Sequence, residues 1–135
     1  MGCYNTGYQS FQKWYIGNVI RNILLADEDV AAQIKGKIFP VVAPENTNGD
    51  FIVYSRQRYA KEAAKTGVYQ DRCDVAVVGI SDNYDNAIAL ASKIDNALTG
   101  YHVLDGKIQI KINLKDSTEV YDDNKYIETL LFEIM

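Results

Sequence analysis

The segment from Tyr69 to Tyr101 constrains the fold most, because it combines a buried strand with an amphipathic helix that follows at once. Its first part, Gln70 to Ile80, is predicted to be a strand, since β-branched residues dominate it. Both alternating sets of side chains there are apolar, namely Cys73/Val75/Val77 and Ala76/Val78/Ile80. A strand that is apolar on both sides is expected to be covered on both faces of its sheet.

A turn and a helix follow this strand. Ser81 and Asp82 interrupt the apolar run, and Asp82 is predicted to be the helix N-cap, with Asp85 complementing the helix N-terminus. Apolar residues then recur at helical spacing, at Ala87, Ala91, Ile94 and Leu98. Gly100 stands where a left-handed C-terminal cap is expected. The segment therefore predicts a strand, a tight turn and a helix that packs back on the sheet.

The composition indicates one acidic domain. A chain of 135 residues supports a single core, so we expect a polar N-terminal arm at 1–10 followed by one domain at 11–135. With 18 Asp and Glu against 14 Lys and Arg, the chain lacks the basic excess of a nucleic-acid-binding protein. Its cysteines, Cys3 and Cys73, indicate neither a disulfide framework nor a metal site. No apolar run is long enough to span a bilayer, so no membrane association is expected.

A first helix is predicted from Phe11 to Leu24, where apolar residues follow a helical period. The aromatic residues Phe11, Trp14 and Tyr15 at its start are expected to pack into the core, with a stacking site for bases or ligands as the alternative. The three acids at 27–29 begin a short second helix. Capping and the helix dipole explain these acids, so no metal site is expected there.

Five extended segments complete the pattern, at 37–42, 51–60, 70–80, 107–115 and 126–134. Pro40 restricts the first of them to a sheet edge or a strand end. The short connection between the second and the third indicates an antiparallel hairpin with a protruding tip. The predicted fold class is therefore α+β, a mainly antiparallel sheet of about five strands with two main helices, in the order α-β-β-β-α-β-β.

Basic residues concentrate in this hairpin, at Arg56, Arg58, Lys61, Lys65 and Arg72. A solvated face is one explanation for the cluster, and contact with an acidic partner or a phosphate is the other. The sequence leaves both explanations open.

No pattern of residues indicates catalysis, a cofactor or a metal. The turn after Ile80 has the position of a phosphate-binding loop, but it contains a single glycine, no Lys-Ser/Thr pair and two acids that would repel a phosphate. The one histidine, His102, follows the helix C-terminus, where it suits the helix dipole without a catalytic duty. The chain is therefore not expected to be an enzyme.

Motifs along most of the chain resemble those of one family of phage proteins. They are Leu24-Leu25-Ala26-Asp27, Val30-Ala31-Ala32, Ile34 followed by Phe39-Pro40-Val41-Val42-Ala43-Pro44, Phe51-Ile52-Val53-Tyr54, Asp74-Val75-Ala76-Val77 and Ile94-Asp95-Asn96-Ala97-Leu98-Thr99-Gly100. In the order and spacing of these motifs the chain is similar to the tail-completion family of tailed bacteriophages and prophages, the tail terminators or head–tail joining proteins. Asp50, where a proline often precedes the strand, and the segment after Tyr101 depart from the family pattern.

The resemblance implies a structural virion protein that forms a hexameric ring between the tail tube and the head connector. Its partners would be further copies of itself, the tail-tube protein and the head-connector proteins, and DNA would pass through the ring without being read in sequence. Assembly would take place in the cytoplasm of the bacterial host, with no cofactor. Arg56, Arg58, Lys61 and Lys65 are expected to face the lumen or a partner, and the arm from Tyr4 to Tyr8 is expected to order on assembly.

Two other classes of protein stay open. A small-molecule or nucleotide-binding regulatory domain would use the cleft after Ile80. An immunity or inhibitor-like protein would bind a basic partner through its acids. Neither class is supported by a motif of its own.

Overall fold

The computed structural model describes residues 13–63 and 69–135, without the side chains of 61–63 and 69–71. A 3-10 turn at Lys13–Tyr15 precedes three helices, which are α1 (Ile16–Ala26), α2 (Glu28–Ile34) and α3 (Tyr84–Leu98). The strands are β1 (Ile38–Pro40), β2 (Phe51–Ala63), β3 (Tyr69–Ser81), β4 (Gly100–Leu104), β5 (Ile108–Asp122) and β6 (Lys125–Ile134). Three helices and a mostly antiparallel sheet confirm the predicted α+β class.

The six strands form one sheet in the order β1-β2-β3-β6-β5-β4. The predicted β2–β3 hairpin is confirmed as antiparallel, and β1 lies at the edge, parallel to β2. The β5–β6 hairpin extends to Asp122 and closes through Asp123 and Asn124, whose φ angles of 51° and 62° suit a two-residue type I′ turn. Because β3 pairs with β6, the two long hairpins point toward opposite ends of the sheet.

All three helices pack on the same face of the sheet. One continuous core joins the stripe Ile16, Ile20 and Leu24 of α1 and residues of α2 and α3 to alternate residues of the strands. On β3 these alternate residues are Cys73, Val75 and Val77, all fully buried. The other alternating set, at Ala76, Val78 and Ile80, points away from the helices. We expected both faces of β3 to be covered. Within the described chain, helices cover one face of β3 and leave the other without a helix.

Helix α3 lies close on β3 at Gly79. A Cβ atom built on Gly79 would come within 3.2 Å of the Leu90 side chain and 3.4 Å of Ile94 Cδ1. The absence of a side chain at this position therefore lets the helix and the strand approach each other. Ala87, Leu90, Ile94 and Leu98 form the buried side of α3, whereas Ala91 is only partly buried.

The predicted caps of α3 are wrong at both ends. The N-cap is Asn83, not Asp82, because the Asn83 side chain accepts a hydrogen bond of 3.0 Å from the backbone N–H of Asn86. Asp82 instead accepts from Lys125 Nζ at 2.6 Å. Thr99 ends the helix in an extended conformation, and Gly100, with φ of 124°, is the first residue of β4 rather than a left-handed cap. The extra strand β4 raises the number of strands from the predicted five to six.

Other local expectations are confirmed. Asp27 caps α2 by accepting a hydrogen bond of 3.1 Å from the backbone N–H of Val30, so capping accounts for this acid. His102 Nε2 lies 2.7 Å from the carbonyl oxygen of Leu98, at the C-terminal end of α3. The imidazole therefore satisfies one of the carbonyl groups that a helix end leaves unpaired.

The expectation that Trp14 and Tyr15 belong to the core is wrong. Their exposed fractions are 61% and 66%. Both lie in the 3-10 turn before α1, whereas the aliphatic stripe that begins at Ile16 occupies the core. Phe11 lies outside the described residues.

Candidate functional site

The sheet face opposite the helices, called here the helix-free face, carries an apolar row across four strands. Phe51 of β2 pairs with Ile80 of β3, Ile80 pairs with Ile127 of β6, and Ile127 pairs with Val120 of β5. Phe51 is buried against Phe39, with ring centroids 6.3 Å apart, whereas Val120 is 53% exposed. Val53 and Val78 lie in the neighbouring row and are half-buried. An apolar surface of this kind is typical of a contact with another protein.

The other end of the helix-free face is ionic. Arg72 Nη2 lies 3.7 Å from Glu133 Oε2, and Lys115 Nζ lies 3.3 Å from Asp74 Oδ2. Asp74 is 8% exposed, and its Oδ1 atom has no hydrogen-bond partner among the described residues. Because the cations are about 40% exposed, water screens both pairs and their contribution to stability is small.

The sheet has two unpaired strand edges, at diagonally opposite corners. Strand β1 pairs with β2 only as far as Tyr54, so the segment 55–63 forms an edge, called here the β2 edge. Strand β4 pairs with β5 only as far as Ile112, so the segment 113–122 forms a second edge, called here the β5 edge. Both statements concern pairing within the described residues. Unpaired edges present backbone N–H and C=O groups to a further strand.

The β2 edge contains three of the basic residues predicted to contact a partner, Arg56, Arg58 and Lys61. The Arg56 guanidinium lies 4.6 Å from the centre of the Trp14 ring, and its Nη1 donates to the Trp14 carbonyl oxygen at 3.4 Å. The Trp14 ring also meets Tyr59 edge-on, with centroids 5.2 Å apart. Trp14 therefore belongs to a surface cluster on β2 rather than to the core.

Arg56 and Arg58 lie on opposite faces of the sheet. Arg56 pairs with Val75 on the helix side, whereas Arg58 pairs with Asp74 on the helix-free face. A β-bulge between them, at Gln57, reverses the alternation that residues two apart normally keep. The structure therefore does not bring these two cations together on one surface.

The other predicted contact residues are not placed. Tyr4, Tyr8 and Lys65 lie outside the described residues, and Lys61 belongs to β2 but its side chain is not described. Their contacts with a lumen or a partner stay predictions.

An aromatic and acidic cluster near the start of α3 was not expected from the sequence. Tyr84 Oη donates to the Glu119 carboxylate, at 3.0 Å from Oε1 and 3.2 Å from Oε2, which raises the pKa of Tyr84. The Tyr126 ring packs between Tyr84 and Tyr121, with centroids 5.4 Å and 4.7 Å away. Glu128 pairs directly with Glu119 across the hairpin. The two-residue turn at Asp123–Asn124 is the signal that would have revealed this pairing.

The turn after Ile80 holds an internal polar network, and Gln33, Asp50 and Lys93 of this network line a shallow, open cavity of about 370 Å³. Ser81 Oγ donates to Asp50 Oδ1 at 2.5 Å, and Gln33 Nε2 donates to Asp50 Oδ2 at 2.8 Å. Lys93 Nζ donates to Gln33 Oε1 at 2.8 Å. Asp50, the departure from the phage family pattern, is thus the residue that ties α2 and β3 together. A ligand at this position would have to replace these hydrogen bonds, so the geometry does not favour the nucleotide-binding alternative.

The fold matches a known virion chain. That chain belongs to the structure described as the virion of a native gene transfer agent (GTA) particle, and the two folds agree with a TM-score of 0.69. The match covers 85% of this chain and 89% of the virion chain, at 18% sequence identity. No protein-family model matches the chain, and no curated protein matches its sequence. The likeness therefore establishes a shared fold.

The described residues contain neither a candidate metal cluster nor a candidate membrane-spanning helix. No group of three or more His, Cys, Asp or Glu residues within 13–63 and 69–135 is placed to hold a metal ion. Across the same described ranges, none of the helices has the length and apolar character that crossing a membrane requires. Among the described residues, the surfaces that stand out by their geometry are the helix-free face and the two strand edges, which are suited to protein contacts.

Proposed function

We propose that this chain is a structural subunit of a phage, prophage or phage-like particle, and specifically a tail terminator or head–tail joining protein. The observation that carries the proposal is the fold match to a GTA virion chain, which extends over nearly the full length of both chains. The motifs between Ile20 and Gly100 that resemble the tail-completion family support the same assignment independently.

The subunit acts by assembly into a ring between the tail tube and the head connector. All three helices pack on one face of the sheet, so the apolar row from Phe51 to Val120 lacks a helical cover from the described chain. A neighbouring copy or a partner protein supplies that cover in the assembled particle. Cyclic association of identical subunits through two different surfaces closes into a ring, and a hexamer is the copy number that the resemblance implies.

The function proposed here needs no catalytic step. Among the titratable groups that stand out, Tyr84 donates a hydrogen bond to Glu119, and Glu128 faces Glu119 across the β5–β6 hairpin. Asp50, Ser81 and Gln33 satisfy one another at the turn after β3. The hydrogen bonds of Tyr84 and Asp50 stabilise the subunit, and the ring contributes by holding the tube and the connector together.

The test is the assembly state of the purified protein. Native mass spectrometry and negative-stain electron microscopy should show closed rings, either of the chain alone or after addition of the tail-tube protein of the same particle. The particle made without this chain should have tails of abnormal length or heads without tails. Monomers under every condition, together with normal particles in the deletion strain, would contradict the proposal.

A further inference from the structure

We propose that neighbouring copies of this chain join by antiparallel pairing of the β2 edge of one copy with the β5 edge of the next. The proposal rests on the ring assembly proposed above and names the surface that makes it. It extends the sheet of one subunit into the sheet of its neighbour. Four observations carry it, namely the position, direction, backbone orientation and charge of the two edges.

The two edges are matched in length and complementary in position. The β2 edge spans residues 55–63 and the β5 edge spans residues 113–122. The first lies at the end of the sheet where the β2–β3 hairpin projects, and the second lies toward the opposite end, where the β5–β6 hairpin turns. A neighbour shifted along the strands therefore brings one edge beside the other without meeting β1 or β4.

The strand directions allow antiparallel pairing between copies in the same orientation. Strand β2 is antiparallel to β3, β3 to β6 and β6 to β5. Strands β2 and β5 at the two sides of the sheet consequently run in opposite directions. When two copies stand side by side, the β5 edge of one is antiparallel to the β2 edge of the other, the arrangement with the more favourable hydrogen-bond geometry.

The outward-facing backbone groups of both edges belong to residues on the helix side. Lys111 and Met135 exchange both backbone hydrogen bonds, at 3.1 Å and 2.9 Å, so the alternating pattern along β5 directs the N–H and C=O of Ser117, Glu119 and Tyr121 outward. The backbone N–H of Ser117 accordingly bonds the Asp116 carboxylate at 2.8 Å rather than β6.

The same reasoning applies to β2. The Tyr54 carbonyl oxygen accepts from Val41 N–H on the β1 side at 2.8 Å, which directs the backbone groups of Tyr54 and Arg56 to the edge. Beyond the bulge, Tyr59 continues this set, because it pairs with the buried Cys73.

Directly paired residues share a face, so pairing of the two edges places the helices of both copies on the same side. Rotation about a ring axis requires that relation.

The charges select pairing between unlike edges. The segment 55–63 contains three basic residues and one acid, at Arg56, Arg58, Lys61 and Glu62. The segment 113–122 contains one basic residue and three acids, at Lys115, Asp116, Glu119 and Asp122. Pairing either edge with its own copy in a two-fold dimer would oppose like charges, whereas pairing β2 with β5 opposes unlike charges. Contact between two different surfaces closes into a ring instead of a dimer.

Each edge contains a bulge, at Gln57 and at Lys115, where the ladder is irregular. Bulges limit the regular pairing available on an edge strand. The segments that pair are therefore the regular ones beyond the bulges, from Arg58 along β2 and from Asp116 along β5.

A proline at Ser117 tests the backbone hydrogen bonds of the β5 edge. Ser117→Pro removes one outward N–H, together with its bond to the Asp116 carboxylate, without removing a bond of β5 to β6, and Ser117→Ala keeps that N–H. We expect Ser117→Pro to convert rings to monomers in native mass spectrometry, while Ser117→Ala forms rings like the unchanged protein. Thermal unfolding of the Ser117→Pro monomer checks that the subunit itself stays folded.

Disulfide trapping tests the same contact without relying on a destabilising change. In a Cys3→Ser background that keeps the buried Cys73, an Ala60→Cys protein is mixed with proteins carrying Asp116→Cys, Thr118→Cys or Val120→Cys. These positions lie on the helix-free face, and directly opposed residues across such a junction have Cα separations suited to a disulfide. We expect one of the three mixtures to give a crosslinked pair, and a matched control with Gln109→Cys, in the half of β5 covered by β4, to give none.

The outcomes separate this proposal from the proposed function. Rings that persist in Ser117→Pro, with no crosslink in any of the three mixtures, would overturn the edge pairing and leave the ring itself standing. Monomers under every condition would overturn both. Dimers crosslinked through two copies of Thr118→Cys would overturn the head-to-tail arrangement in favour of two-fold pairing.

Discussion

Glu119 lies directly opposite Glu128 across the β5–β6 hairpin, and the Oε2 atom of Glu128 is buried without a hydrogen-bond partner among the described residues. Burial and the facing Glu119 carboxyl group together raise the pKa of Glu128 to about 7. Two facing carboxylates repel each other, so the neutral form of Glu128 persists above the pH at which a free glutamate ionises. Tyr84 donates to the Glu119 side of this pair from the first turn of α3.

The raised pKa of Glu128 makes the free energy of unfolding depend on pH. Between its ordinary value of 4.5 and about 7, the folded protein binds this proton and the unfolded chain releases it, so stability falls as the pH rises through that window. We expect Glu128→Gln to remove this slope and to raise stability at pH 8 by up to about 1 kcal/mol, the usual cost of opposed like charges on a sheet.

Denaturant unfolding of both proteins at pH 5 and pH 8 measures the effect. Glu45→Gln, a change of the same kind in an exposed loop, is the control and should keep the slope of the unchanged protein. Equal slopes in Glu128→Gln and in the unchanged protein would show that folding does not raise the pKa of Glu128.

The N-cap of α3 gives a second prediction. Asn83→Ala removes the side-chain acceptor for the Asn86 N–H and should lower the free energy of unfolding by about 1 kcal/mol. Asp82→Ala removes a surface ion pair with Lys125 and no acceptor of the α3 N-terminus, so it should cost less. Chemical denaturation of both variants compares them directly, and a larger loss in Asp82→Ala would mean that the cap lies one residue earlier.

Gly79 gives a third prediction, about the packing of α3 on β3. The methyl group of Gly79→Ala would press on Leu90 at 3.2 Å, and the helix would have to move outward. We expect a loss of about 1–3 kcal/mol in stability, the range for overpacking a close-packed core. Ser92→Ala, on the exposed side of the same helix, is the control and should unfold like the unchanged protein. If Gly79→Ala were as stable as the unchanged protein, α3 would be able to move away from β3 without a measurable cost in stability.

The apolar row of the helix-free face gives a fourth prediction. Val120→Lys places a charge at an exposed position of that row, and burying it against another subunit would weaken assembly on the order of tenfold. Gln109→Lys adds the same charge on the same strand and face but outside the row, and assembly should be unchanged. Sedimentation at a series of concentrations measures both variants. If Val120→Lys assembled at the same protein concentration as the unchanged protein, the helix-free face would not be part of the interface.

The elements that depend on local pattern were predicted from the sequence. The alternation of Ile110 and Ile112 with polar residues placed both of them in the core, and the short connection after β2 predicted the antiparallel hairpin. The same reasoning predicted the acid caps of α2 and the role of His102 at the helix end. These features are set by residues within a few positions of each other.

The features that depend on distant pairing were not predicted. A bulge such as the one at Gln57 is set by how β2 meets β3, so the separation of Arg56 and Arg58 onto opposite faces is invisible in the local pattern. Strand β4 was missed because a glycine at position 100 is equally typical of a helix C-cap and of a strand start. Only the pairing of Gly100 with β5 distinguishes these two alternatives. From the sequence, Trp14 is expected in the core. The structure shows that the stripe starting at Ile16 fills the core instead.

The opposite projection of the two long hairpins affects the geometry of any closed ring. Copies joined edge to edge are each displaced along the strands relative to the previous copy. With strands parallel to the ring axis, the displacement would accumulate and the copies would climb into an open screw. Closure instead requires strands inclined to the axis, as the stagger and tilt of strands are linked in a β-barrel. In the proposed ring, the offset between the hairpins would therefore set the inclination of the strands to the axis, and with it the width of the passage.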